Sequence, residues 1–229
     1  PNVDVSVIDS PRSTSIRNEY HSEDRERRTV TLLSAAEPFS ADDVPDVEAG
    51  VLHIAGLFHG EIPVGILPAL ARRFPLAVDA QGLLRRSENG NLLFRDLENK
   101  ADVLRLVTFL KTDAAEAEVL AGTPDREKAA RILAGYGPAE VMVTHNTEVI
   151  VLRDGVFARA PFTPRNLSGR TGRGDTCFAS YLYRRLSRGP GDAVRYAAAL
   201  TSIKMESPGV FRGTAADAEA RMEAGISRA

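Results

Sequence analysis

SGRTGRGDTCFASYLYRRL, Ser168 to Leu186, runs from glycine-rich coil through an aspartate straight into an apolar pattern of helical spacing. Glycine permits backbone conformations that other residues resist. A helix N-terminus adds N–H groups without helical partners and a partial positive charge. Gly172 and Gly174 can therefore aim several N–H donors at one point, which holds a phosphate without a basic side chain. Asp175 stands where coil becomes helix, with the wrong charge to bind phosphate and the right one to accept a proton. An anion cradle with a carboxylate at its lip fits phosphoryl transfer to a hydroxyl. The same residues also read as a glycine turn followed by an aspartate N-cap, and local chemistry alone favours that capped turn.

Outward from this stretch, strand and helix signals alternate. Upstream lie apolar strands at Val51–Ala55, Leu76–Val78, Leu106–Leu110 and Val141–Thr144, with helical spacing at Ile62–Phe74 and a helix between Thr123 and Gly135. A hairpin follows around Asp154-Gly155. Downstream come helices at Thr176–Arg188, Asp192–Glu206 and Thr214–Ala224, the last with Thr214 as N-cap and Asp217 three residues on. This order predicts a mainly parallel sheet covered on both faces. Residues 1–34 differ: alternating Val3, Val5 and Val7, then Thr14–Tyr20 and Arg28–Leu33, read as a small, polar, exposed β segment. Residues 35–229 form the α/β domain.

Ligands bind outside the carboxyl ends of strands in open α/β sheets, and three polar groups follow directly on apolar strands. They are Asp79 to Arg85 (DAQGLLR), Lys111 to Glu116 (KTDAAE) and Thr144 to Glu148 (THNTE). Each has an ordinary reading too. Asp113 with Glu116 is a capping-box variant, and Asp79-Ala80-Gln81-Gly82 is an acceptable turn.

Composition narrows the field. The 229 residues are 43% hydrophobic, enough for one sizeable core. A net charge of -2 makes no case for nucleic acid or an anionic membrane, and no apolar run is long enough to span a bilayer. The single cysteine, Cys177, excludes an intrachain disulfide framework and fits a reducing, cytoplasmic setting; it reads as a small apolar residue of a buried helical turn. Four of the 29 basic residues are lysines: Lys100, Lys111, Lys128 and Lys204. The four histidines are scattered and do not form a zinc site. A P-loop, a GxGxxG dinucleotide motif and a GxSxG elbow are all missing.

In its order of motifs the chain resembles the ribokinase-like (PfkB) carbohydrate kinases over nearly its whole length. TGRGDTCFASYL resembles the signature DTxGAGDxF, whose GxGD core is its most specific part. The resemblance implies a three-layer ribokinase-like α/β fold with a small β lid at Arg17–Arg28. It implies Asp175 as catalytic base, with Gly172, Arg173 and Gly174 forming the anion hole. Asp79, Gln81 and Arg85 match a motif near substrate and phosphates, and Arg17, Asn18 and Tyr20 the lid over the acceptor. TDAAEAE resembles NxxE, which implies Glu116 in positioning magnesium. Lys111, Asp113, Thr144, Thr171, Ala198 and Gly209 fall where the nucleotide is held.

There are departures. Gly169 and Arg170 stand in place of the leading Asp-Thr, at positions tied to monovalent-cation binding. Arg173 replaces a small residue, Asp113 an asparagine, and THNTE lacks the glycines of a TxGxxG nucleotide motif. An earlier strand-helix segment with a substrate-binding Gly-Gly pair is expected to precede Pro1. The expected activity is an ATP- and Mg2+-dependent kinase acting on a hydroxyl of a small sugar or polyol. The alternatives are a nucleoside kinase of the same family and a non-catalytic nucleotide- or sugar-binding module. The exposed lid sheet is a surface on which a second copy would pair into a homodimer.

Overall fold

In a computed structural model, which describes residues 3–21 and 28–226, two sheets carry the architecture. The larger has strand order β10-β9-β8-β7-β4-β3. Its parallel part comprises β3 (Leu52–Ile54), β4 (Leu76–Asp79), β7 (Val107–Asp113) and β8 (Glu140–Thr144). An antiparallel hairpin, β9 (Glu148–Arg153) and β10 (Val156–Pro161), extends it at one edge. Asp154 and Gly155 turn that hairpin with positive φ at both positions, as a two-residue turn demands.

Strands β4 and β8 are buried on both faces, so they read as near-continuous apolar runs. One face packs against α1 (Leu67–Ala71), α3 (Lys100–Leu104), α4 (Ala114–Ala121) and α5 (Arg126–Ala134). The other packs against α6 (Arg173–Arg185) and α7 (Pro190–Met205), with α8 (Ala215–Ile226) lying on α7. At the far end of β8, buried Glu140 binds Arg153 and Arg185 at 3.0 and 2.7 Å and accepts the Tyr181 hydroxyl. Tyr181 and Arg185 lie on α6, so this cluster fixes that helix to the sheet.

The smaller sheet, β1-β2-β6-β5, is built from two hairpins distant in sequence. β1 (Ser15–Tyr20) pairs with β2 (Arg28–Ser34), as expected of the lid. β5 (Arg85–Glu88) and β6 (Asn91–Phe94) supply the rest, joined by Asn89 and Gly90 with positive φ. Val30, Leu92 and Phe58 form its own small core. The lid therefore draws on residues 85–94 as well as the first 34. Residues 22–27 of the expected hairpin and the side chain of Tyr20 lie outside the described residues.

Two local expectations fail. The alternation of Val3, Val5 and Val7 produces no strand, and the three side chains are exposed. With no neighbouring strand there, pattern alone cannot satisfy the backbone. Ile62–Phe74, interrupted by Pro63, Gly65 and Pro68, forms a 3-10 turn at Val64–Ile66 and then only the short α1. No helix among the described residues is long and apolar enough to cross a membrane.

Candidate active site

The polar ends of β4, β7 and β8 meet the N-terminus of α6 at one edge of the sheet. Asp79, the last residue of β4, is 4% exposed and accepts the Lys111 ammonium at 3.1 and 3.0 Å on its two oxygens. It also accepts the Gln81 N–H at 3.1 Å, at the start of α2 (Gln81–Leu84). Lys111 lies 3.8 Å from Glu116 on its other side. Burial would lower the pKa of Lys111, but Glu116 and Asp79 outweigh it and raise it. Burial pushes the Glu116 carboxyl up to about 7, against the attraction of Lys111.

Glu116 has a second engagement. It accepts the Asp113 N–H at 2.7 Å while Asp113 accepts the Glu116 N–H at 2.8 Å, the reciprocal capping box of α4. The ordinary reading of this pair is thus realised, with Glu116 also facing the buried ammonium.

The glycine turn sits directly above Lys111. A Cβ on Gly174 would stand 3.1 Å from its Nζ, so the ammonium underlies the first turn of α6. That helix begins at Arg173, with Gly172 as a left-handed N-cap at φ 81 and no side-chain cap. The N-cap reading of Asp175 is therefore overturned, because the carboxylate sits inside the first turn. Asp175 is exposed, and the first-turn N–H groups beside it have no helical carbonyl to reach. Cys177, one turn further in, is buried, with its thiol pushed up to about 12 by burial; it is not a nucleophile.

Three contributors were not assigned a role from the sequence. Asn146, in the β8–β9 turn, accepts Arg170 at 3.2 Å and Arg173 at 2.9 Å on one oxygen, tying two cations across the glycine turn. Lys204, near the end of α7, is 5% exposed and donates to the carbonyl of Gly169 at 2.6 Å and to that of Thr171. His53, on β3, stacks edge-on against Phe178 with centroids 4.9 Å apart, and its buried Nε2 has no partner among the described residues. Burial lowers its pKa, opposed by Asp79 and Asp175. The scarcity of lysine was a usable signal for Lys204, whereas a single histidine in mid-strand carried none.

The other expected residues are less gathered. Thr144 is buried and donates inward to the Thr112 carbonyl at 3.4 Å. Ala198 is buried in the core between α7 and the sheet. Gly209 occupies the loop after α7 with φ 85. Arg85 begins β5, its guanidinium 5.5 Å from the Phe94 ring centre. Arg17 and Asn18 are exposed on β1.

The chain matches the model of the pfkB family carbohydrate kinases over residues 2–215. Among solved structures it is 41% identical to a pyrophosphate-dependent kinase in the ribokinase family, solved as a sulfate complex. That match covers 92% of this chain and 75% of the other, with TM-score 0.84. It is 39% identical to a pyrophosphate-dependent myo-inositol-1 kinase converted into a myo-inositol-3 kinase, with 96% and 76% covered and TM-score 0.85. A fructokinase double mutant from Vibrio cholerae O395, bound to fructose, ADP and potassium, is 18% identical, with 94% and 73% covered and TM-score 0.63. A search of curated proteins finds no match.

Proposed function

The chain belongs to the pfkB family of carbohydrate kinases, and we propose that it carries a phosphoryl group from inorganic pyrophosphate to a hydroxyl of a cyclitol or sugar. Membership makes it a phosphotransferase with an alcohol group as acceptor; the pyrophosphate donor and the cyclitol preference are our reading. The observation that carries the donor is the meeting of Arg170 and Arg173 at Asn146 across the glycine turn. Guanidinium forks suit phosphate oxygens. With Lys111 beneath Gly174 and Lys204 behind Gly172, four cations surround one anion cradle. A donor that is phosphate from end to end suits the two guanidinium groups, while the buried lysines add positive charge behind the turn. A nucleotide also needs a place for its base, and Ala198, expected where the nucleotide is held, is buried in the core. Relatives about two-fifths identical to this chain are pyrophosphate-dependent, and one was solved with myo-inositol, which supports the same donor and acceptor class.

In this reading Asp175 accepts the proton of the acceptor hydroxyl as its oxygen attacks phosphorus. The bridging P–O bond breaks, and inorganic phosphate leaves with the electron pair. The N–H groups of Gly172 and Gly174 stabilise the charge on the transferring group, that of Arg173 being taken by the Arg170 carbonyl. Among the described residues, no three acidic, histidine or cysteine side chains cluster as a metal site. We assign Glu116 as the carboxylate that would hold magnesium through water, and the ion would offset charge on the donor's oxygens. The test supplies full-length protein with myo-inositol, ribose or fructose and either pyrophosphate or ATP, following products by 31P NMR. We expect kcat/KM with pyrophosphate to exceed that with ATP at least about tenfold. A preference for ATP refutes the donor assignment.

A further inference from the structure

Of the four lysines, two are buried, and both lie against the glycine turn: Lys111 under Gly174 and Lys204 behind Gly172. Lys111 is matched by two buried carboxylates. Lys204 has no ion pair among those in the described residues; its hydrogen bonds go to the backbone carbonyls of Gly169 and Thr171. Two peptide oxygens converging on one point make a site for a small cation. We infer that the Lys204 ammonium is a tethered monovalent cation for the phosphate cradle, filling by covalent attachment the place that a potassium or ammonium ion would otherwise take.

The geometry shows what this tether does. A trans peptide points its C=O and its N–H in opposite directions. Holding the Thr171 carbonyl toward Lys204 therefore turns the Gly172 N–H away from it, toward the mouth of the turn, and holding the Gly169 carbonyl does the same for the Arg170 N–H. Arg173 N–H closes on the Arg170 carbonyl at 3.1 Å, so that donor is spent within the turn. Lys204 thus sets the direction of donors that it never shares with the substrate; it is a positioning residue. The Lys204 Nζ and a carboxylate oxygen of Asp175 lie 3.9 and 3.8 Å from the point where a Cβ on Gly172 would stand. Burial lowers the pKa of Lys204 and Asp175 opposes that shift, as expected of an ammonium facing the catalytic carboxylate.

The turn is closed on the same side by contacts to backbone carbonyls at the end of α7. Gly169 N–H donates to the Met205 carbonyl at 2.8 Å, and Ser168 Oγ donates to the Glu206 carbonyl at 2.8 Å. A Cβ on residue 169 would fall 1.8 Å from the Ser207 carbonyl oxygen, so no side chain, and no carboxylate, fits at that position. The end of α7 and the start of the turn form one unit with the ammonium at its centre.

This inference rests on the proposed phosphoryl transfer, and its test separates the two. Turnover of full-length protein is measured with tetramethylammonium, sodium, potassium or ammonium as the only monovalent cation. The wild type should vary by no more than about two-fold across the series. Lys204→Met should lose on the order of 10²-fold in kcat in tetramethylammonium, the cost of misaimed oxyanion donors. It should regain at least about tenfold in potassium or ammonium, which a merely structural lysine would not allow. Wild-type activity that rises about tenfold or more with potassium overturns the inference. So does a folded Lys204→Met with unchanged kcat, or with a loss that no cation restores. If Lys204→Met does not fold, the wild-type salt series decides alone. Calorimetric binding of pyrophosphate in the same salts supplies a readout free of turnover. A wild type that binds in every salt, with Lys204→Met binding only in potassium or ammonium, upholds the inference even if no acceptor is phosphorylated. That lack of phosphorylation would instead refute the proposed function.

Discussion

Replacing Lys111 by methionine tests the electrostatic base of the site. The Lys111, Asp79 and Glu116 side chains are 5%, 5% and 2% exposed, so water cannot take over from the missing ammonium. Breaking a buried ion pair by removing one partner costs about 3–5 kcal/mol. Here one cation serves two carboxylates, which places the cost in the upper half of that range. For a domain of this size each kcal/mol shifts Tm by about 2–4 °C, so Lys111→Met should melt about 8–20 °C below wild type near neutral pH.

The pH dependence carries the sharper test. The Glu116 pKa is raised from 4.5 to about 7, so the folded protein keeps a proton that the unfolded chain has released. Folding takes up that proton, and stability falls as pH rises across that window. Without Lys111 the carboxyl rises further and the window extends upward. The gap between variant and wild type should therefore widen above about pH 7 and narrow toward pH 5, where Glu116 is neutral and Asp79 alone lacks its partner. Thermal melts followed by circular dichroism at about pH 5, 6, 7 and 8 measure it. A gap below about 3 °C at pH 8, or one equal at pH 5 and pH 8, would refute the reasoning.

The remaining expectations are more direct. Asp175→Asn, exposed and outside any packing, should melt close to wild type yet lose at least about 10²–10³-fold in kcat; activity within a few-fold would sink the base assignment. Glu116→Gln can still accept the Asp113 N–H, so α4 should stay capped while half-saturating magnesium rises about tenfold; an unchanged titration would leave Glu116 as a cap alone. Asn146→Ala should raise KM for pyrophosphate by about tenfold and spare the acceptor KM, since only the two arginines across the turn are loosened; equal changes in both would count against the donor assignment. Gly169→Ala must push the turn off Ser207 and should lose more than about 2 kcal/mol in urea unfolding, a clash the backbone cannot absorb cheaply; wild-type stability would mean the turn packs otherwise.

How far the fold was legible follows from where its information is local. Leu76–Val78 and Val141–Thr144 announce strands because burial on both faces demands unbroken apolar runs, and both are found as expected. The second lid hairpin, Arg85–Phe94, went unread although Asn89-Gly90 is a strong turn signal. Its strands are only four residues each, and they join a sheet because Leu32 N–H meets the Gly90 carbonyl across more than fifty residues. Val3–Val7 shows the converse: alternation without a partner builds nothing.

The site divides in the same way. Asp79, Lys111, Glu116 and Asp175 follow strands or open a helix, so position along the chain already points them at one edge of the sheet. Asn146 and Lys204 act through paired contacts, with two arginines and with two backbone carbonyls, and no spacing rule encodes those. Lys204 could still have been singled out by substitution logic. A chain that uses arginine at nearly every basic position keeps lysine where a guanidinium would be wrong, and a planar fork cannot sit between two converging carbonyls as a compact ammonium can. The same logic joins two residues far apart in sequence, Gly169 and Lys204. Glycine at 169 lets the turn settle against Ser207, and the settled turn presents the carbonyls that Lys204 holds. The two act on one contact, so loss of Lys204 and loss of Gly169 should be strongly non-additive in both stability and kcat.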